Sequence, residues 1–167
     1  MKIGVFADVG NLFYCINKRF PGRKLDYRKY LEKAINGNDL YRAFAYGGQI
    51  GDHATDFILC LRDIGYEPKF KEPKQYEVGT KREIGKADWD VGISIDVVTL
   101  LNMIDIVIIG SSDPDLVPLV NYVRAKGVPC HIFACGIARD LKNSANSYCE
   151  IDESLLVEET EAEPESS

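Results

Sequence analysis

Apolar residues follow two periods along the chain. Uninterrupted apolar runs, the signature of strands buried on both faces, are separated by segments with helical spacing. "KIGVFAD" (2–8) reads as a buried strand, and "GNLFYCINKRF" (10–20) comes next with helical spacing. In "DYRKYLEKAING" (26–37) the helical pattern is clearer, with Asp26 placed to cap it and Gly37 to stop it. "LYRAFAYG" (40–47) is a strand, and "HATDFILCLRDIG" (53–65) is an amphipathic helix ending at Gly65. "YEPKFKE" (66–72) is a short strand that Pro68 places near a sheet edge. The polar segment "PKQYEVGTKREIGKAD" (73–88) has no periodicity and is expected to be a mobile loop. Length makes "WDVGISIDVVTLLNMI" (89–104) a helix despite its β-branched residues. Strand "IDIVIIG" (104–110), helix "PDLVPLVNYVRAKG" (114–127) and strand "VPCHIFAC" (128–135) continue the alternation. "ARDLKNSANSYC" (138–149) begins as a helix, and "YCEID" adds a short strand.

Strands alternating with helices imply βαβ units, right-handed crossovers and a mostly parallel sheet covered on both faces. The fold class is therefore α/β, a Rossmann-like three-layer sandwich. In such sheets ligands bind outside the carboxyl ends of the strands. That rule directs attention to the residues just after 2–8 and 104–110.

The length of 167 residues suits one domain with a sizeable core. Charge sharpens its boundary. From Glu150 to Ser167 there are eight acids and no base, which leaves 18 acids against 20 bases before it. The body is nearly neutral, and the tail alone gives the net charge of −6. Residues 1–152 are read as the domain, and 153–167 as an acidic, disordered tail. One functional reading of that tail is competition with nucleic acid for a basic groove. No apolar run approaches the roughly 20 residues that span a bilayer, and no secretory pattern opens the chain. A cytoplasmic protein with no membrane partner is expected. The five cysteines include no CxxC pair, and His53 and His131 lie far apart, so no zinc spacing occurs. The cysteines are read as reduced core residues.

Candidate chemistry gathers at the strand ends. Asp8 closes the first strand, and Asp113 and Asp115 come just after "IDIVIIG". Asp90 opens the helix 89–104, with Asp96 six residues on. Converging carboxylates repel one another unless a cation neutralises them, and hard oxygen donors without His or Cys favour Mg²⁺ or Mn²⁺. Each acid also has a local explanation. Asp113 before Pro114 is a good N-cap, Asp115 suits the helix dipole, and Asp8 can cap the helix after it. Asn11 can cap a helix or hydrogen-bond a phosphate, and Asp96 is a supporting group or merely exposed.

Three ordered segments carry a family resemblance. "FADVGNL" resembles the opening D-x-x-N-L motif of NYN domains, the PIN-like ribonucleases that include LabA-like proteins. "KADWDVGISID" resembles their K-x-x-x-D-V-x-L-x-x-D segment, and "IIGSSDPDLVPLVNYVRAKG" their strand-S-G-D-S-D-F-x-P-L element. "LKNSANSYCEID" is similar to their closing helix and strand. The resemblance covers about residues 2–152. It implies a PIN-like domain in which Asp8, Asp90, Asp113 and Asp115 bind Mg²⁺ or Mn²⁺ and serve catalysis. Asn11, Ser111 and Asp96 would be supporting polar groups. Ser112, Pro114 and Leu116 depart from the family's glycine, serine and phenylalanine. Pro114 removes a helix-terminal N–H that could hold an anion.

The expected activity is metal-dependent endoribonucleolytic hydrolysis, by in-line attack of water, leaving a 5′-phosphate and a 3′-hydroxyl. Substrate contacts are sought in two basic groups. Lys81, Arg82 and Lys86 lie in 69–86, together with Tyr76; Lys18, Arg19, Arg23 and Lys24 lie in "NKRFPGRK", beside Phe20. Of these, Lys86, Arg82, Lys81 and Arg19 are assigned to substrate, with Phe20 and Tyr76 as stacking surfaces. Trp89 is read as an anchor in the core or loop, with base stacking as the alternative. A second reading is a non-catalytic module that binds RNA or a protein partner. A third is another phosphohydrolase or nucleotide binder, although G-x-G-x-x-G and Walker motifs are missing. Apolar-faced helices leave a homodimer open.

Overall fold

The first apolar run forms β1 (Lys2–Asp8), in which Ile3, Val5, Phe6 and Ala7 are buried. It lies in the middle of a sheet in a computed structural model that describes residues 1–48, 53–72 and 87–158, with the backbone of 75–78 and 81–84. After β1 come α1 (Val9–Arg19), β2 (Arg23–Leu25), α2 (Tyr27–Ile35), β3 (Asp39–Gly48), α3 (His53–Ile64) and β4 (Glu67–Lys71). The middle of the chain gives β5 (Gln75–Val78), β6 (Lys81–Ile84), α4 (Asp90–Leu100) and β7 (Ile106–Gly110). A 3₁₀ turn (Pro114–Leu116) leads into α5 (Val117–Ala125), β8 (Cys130–Ala134), α6 (Arg139–Ser144) and β9 (Ser147–Glu150). A second 3₁₀ turn (Glu153–Leu155) precedes β10 (Leu156–Glu158).

Six strands form one wholly parallel sheet in the order β4-β3-β1-β7-β8-β9, flanked by helices as a three-layer α/β sandwich. From β1 the chain steps to β3 and β4 on one side, then returns to β7, β8 and β9 on the other. The reversal lies between β1 and β7, whose carboxyl ends bound the crevice where such sheets take ligands. Side chains fill the core in register. Phe6 and Phe44, paired across β1 and β3, stack with centroids 5.5 Å apart. Tyr30 of α2 stacks on Phe133 of β8 at 4.4 Å and donates a hydrogen bond to its carbonyl. Asp26 caps α2 by accepting from the Arg28 and Lys29 amides. Asn36, at φ 47°, ends that helix one residue before Gly37.

Several expectations change. The segment read as a mobile loop contains an antiparallel hairpin, β5 with β6, that stands apart from the main sheet. Four-residue strands place only two residues on each face, too few for a periodic signal. The tail read as disordered from 153 begins with ordered structure: Leu156–Glu158 pair antiparallel with Arg23–Leu25, and Leu155 and Leu156 are buried. Two leucines among the acids supply that anchor. Cys60 and Cys149 are exposed rather than in the core; all five cysteines are free. No helix among the described residues is long and apolar enough to cross a membrane. The outer face of α4 leaves Val91, Ile95 and Val98 exposed.

Candidate functional site

β1 and β7 end side by side, and an aspartate at or just beyond each end caps the next turn of chain. Asp8 accepts from the Asn11 amide at 3.1 Å, starting α1. Asp113 accepts from the Asp115 amide through Oδ1 at 2.9 Å, starting the 3₁₀ turn, while buried Ser111 accepts from the Asp113 amide. Asp90 arrives from the other direction, at the first position of α4, where its amide donates to Asp88 Oδ1 at 2.9 Å. Trp89 anchors that helix start by donating Nε1–H to the Gly47 carbonyl at 2.9 Å. Lys71 clamps it further, donating to the Asp88 carbonyl and lying 4.3 Å from the Trp89 ring centroid. Of the two roles open to Trp89, its hydrogen bond supports that of an anchor.

These supports bring carboxylate oxygens of Asp90, Asp113 and Asp115 within 4.8 Å of one another. Asp8 stands outside that trio but lines the same cavity and acts on Asp90 electrostatically. Burial first, then the charges of Asp113, Asp88, Asp8 and Asp115, push the Asp90 carboxyl up to about 6. Mutual repulsion of this kind is what a bound cation relieves, and an all-oxygen donor set fits Mg²⁺ or Mn²⁺.

The elevated Asp90 value sets a pH dependence. An acid that titrates near 6 in the folded protein against an ordinary 3.8 binds its proton more tightly folded than unfolded. Its contribution to stability is complete below the ordinary value and is lost as pH rises through about 6. In metal-free protein, Asp90→Asn should therefore raise Tm at pH 7 and have little effect at pH 4, as measured by circular dichroism. A gap that closes as pH rises would contradict the repulsion.

The remaining assignments divide. Asn11 fastens α1 to the end of β7: its Oδ1 accepts from the Ser112 amide at 2.9 Å and from the Ser112 hydroxyl at 3.1 Å. The serine that replaces a glycine of the family pattern thus serves as a strut. Asp96 does not join the cluster. It lies six residues along α4, about 9 Å of helix rise from Asp90, and accepts from Tyr46 Oη and Lys69 Nζ, both at 2.7 Å. There it ties α4 to β3 and β4. Asp96→Ala should cost about 1–3 kcal/mol by stranding the buried Tyr46 hydroxyl, with unchanged metal affinity by calorimetric titration. Arg19 ends α1, about 15 Å of rise from its start, and covers Phe20 rather than lining the cavity. Arg23 and Lys24 of β2 line it instead. Phe20 packs against the core. Lys81 and Arg82 lie in β6, whose backbone alone is described, as for Tyr76 in β5; Lys86 lies outside the described residues.

The cavity holds about 900 Å³. Acids form part of its wall, and Phe13, Tyr27, Phe57, Phe70 and Trp89 form much of the rest. Phe13, Phe57 and Phe70 carry no signal in the sequence beyond ordinary helix and strand apolarity.

Comparison with known proteins agrees with this architecture. The chain is 26% identical to the Low amplitude and bright protein LabA of Synechococcus elongatus, over 96% of this chain and 89% of that protein. A crystal structure of a protein of unknown function from Vibrio parahaemolyticus superposes with a TM-score of 0.83 at 26% identity, covering 93% of this chain and 96% of that one. A 51-residue segment is 39% identical to part of a β-galactosidase of Halalkalibacterium halodurans, only 5% of that protein, and carries no functional argument. The NYN domain matches residues 2–152, from the first strand to just past β9. The chain belongs to the NYN domain family.

Proposed function

We propose that this chain is an endoribonuclease that uses Mg²⁺ or Mn²⁺ to hydrolyse RNA phosphodiester bonds. The observation that carries the reading is the convergence of Asp90, Asp113 and Asp115 at the strand reversal of an NYN domain. These three carboxylates would hold the cation. When bound, such an ion polarises the phosphoryl oxygen and lowers the pKa of water for in-line attack. Asp8 and Asp88 add further negative charge to the cavity wall. Trp89 and Lys71 hold Asp90 in place, and Asn11 and Ser112 hold α1 against β7. Arg23 and Lys24 supply positive charge to meet neighbouring phosphates. The products would be a 5′-phosphate and a 3′-hydroxyl.

Purified protein, given a mixed RNA pool and Mn²⁺, should shorten the RNA and stop when EDTA is added. Cleavage that persists in EDTA, or products ending in 2′,3′-cyclic phosphate, would exclude this chemistry. RNA binding without cleavage would assign the chain to the non-catalytic module instead.

A further inference from the structure

Among the described residues, α4 is the one helix whose solvent side carries no charge. Every other helix exposes charged side chains, such as Arg19 on α1, Lys29 on α2, Arg62 on α3, Arg124 on α5 and Arg139 on α6. α4 exposes only Val91, Ile95, Val98 and Thr99, and Val91 and Ile95 are 73% and 60% exposed. Its hydroxyls are spent on its own backbone. Ser94 donates to the Asp90 carbonyl and Thr99 to the Ile95 carbonyl, both at 2.7 Å. Its two acids are engaged elsewhere: Asp90 belongs to the carboxylate cluster, and Asp96 is held by Tyr46 and Lys69. A helix apolar nearly all round belongs inside a protein. Single exposed aliphatic residues are ordinary, but a row at i, i+4 and i+7 has the spacing of the seam along which two helices pair. Just past the end of α4, Met103 is exposed too, and its sulfur accepts from the Tyr41 hydroxyl at 3.2 Å.

Charge decides what covers this row. Phosphates find no cation on it, and a charged protein surface would lose its hydration there without gaining an ion pair. What fits is a second uncharged aliphatic face, and the chain carries one in α4 itself. A two-fold axis sets like residues against like, which repels wherever they are charged; on this face none are. We propose that the chain forms a homodimer in which α4 packs antiparallel against the α4 of a second copy, with Ile95 at the two-fold axis. Ile95 lies midway along the exposed row, so each Val91 faces the other copy's Val98. Met103 and Tyr41 widen the patch toward the roughly 800 Å² per partner that a stable interface buries. None of these residues lines the cavity, so pairing covers none of its wall. The inference does not depend on the ribonuclease reading.

Light scattering of the full chain during size-exclusion chromatography should give twice the 18.7 kDa of one copy. Ile95→Asp and Ile95→Lys, both at an exposed position, should each run as a single copy with an unchanged circular dichroism spectrum. Mixed in equal amounts, the two variants should return to the doubled mass. At a two-fold axis the side chain at position 95 meets its own counterpart, so the variants repel themselves and attract each other. A variant that merely failed to fold would not be rescued by mixing. A single-copy mass for the wild-type chain at every concentration up to its solubility limit would overturn the proposal and leave α4 to a different partner. A dimer that both charged variants retain would also overturn it, by placing the interface on another surface. Charged variants that stay single when mixed would overturn it too, because α4 would then pack on a different face of the second copy.

Discussion

Asp113→Asn should abolish RNA cleavage and leave the fold intact. Asparagine caps a helix as well as aspartate does, and its Oδ1 can still accept from the Asp115 amide. The substitution therefore keeps the cap and removes only the charge, separating the two explanations that the sequence leaves open for this residue. Losing a group that merely orients a metal ligand costs up to about a hundredfold; losing a ligand should cost at least that. Initial rates on labelled RNA in Mn²⁺ would measure it, with circular dichroism as the check on folding. Asp90→Asn should behave alike. Activity retained in both variants would remove the cluster from the mechanism and point to a contaminating nuclease.

Gly110→Ala should be among the most costly single-methyl changes in the protein. A Cβ there would stand 2.5 Å from Tyr30 Oη and 3.1 Å from the Ala7 backbone. Neither neighbour yields easily, since the Tyr30 hydroxyl is held at 2.7 Å by the Phe133 carbonyl and its ring is stacked in the core. Overpacking costs about 1–3 kcal/mol, and stranding a buried carbonyl costs a similar amount. At about 2–4 °C per kcal/mol for a chain of this size, the loss is easily read by thermal melting. The double variant Gly110→Ala with Tyr30→Phe is the control. Removing the hydroxyl makes room for the methyl, so adding Gly110→Ala to Tyr30→Phe should cost less than adding it to the wild type. Strict additivity would mean that the strain lies in the backbone of β1 instead.

Much of this architecture is legible in the sequence because parallel strands buried on both faces are apolar without interruption. "GVFA" and "IVII" admit few other interpretations, and carboxylates stand out where such runs stop, as Asp8, Asp113 and Asp115 do. Asp90 is legible only as an acid opening a helix; its delivery to the cluster depends on Trp89 reaching Gly47, a contact between residues 42 apart that no local pattern announces. Asp96 misleads for a related reason. α4 is apolar nearly all round, so periodicity cannot say which face its second acid occupies, nor that Val91, Ile95 and Val98 are left outside. The basic residues are harder still. Arg19 and Arg23 look alike in the sequence, and only the turn after α1 carries one of them to the cavity. The hairpin of β5 and β6 and the strand β10 are too short to register as periods.

The central place of β1 has a consequence for the order of synthesis. β1 is the first strand made, and its partner β7 is made much later: Asn11 and Ser112, joined by a hydrogen bond, are 101 residues apart. At typical rates of elongation, one edge of β1 waits roughly 5–20 s for its partner. Through that interval the strand can pair with β3 but presents an open apolar edge on its other side, the condition under which nascent parallel sheets aggregate. Nor can the acidic cluster exist in that time, because Asp90, Asp113 and Asp115 are all made long after β1 and the docking of β7 is what places the last two. A metal added during refolding would therefore act late, locking molecules whose sheet has already closed, and would leave the rate of collapse unchanged.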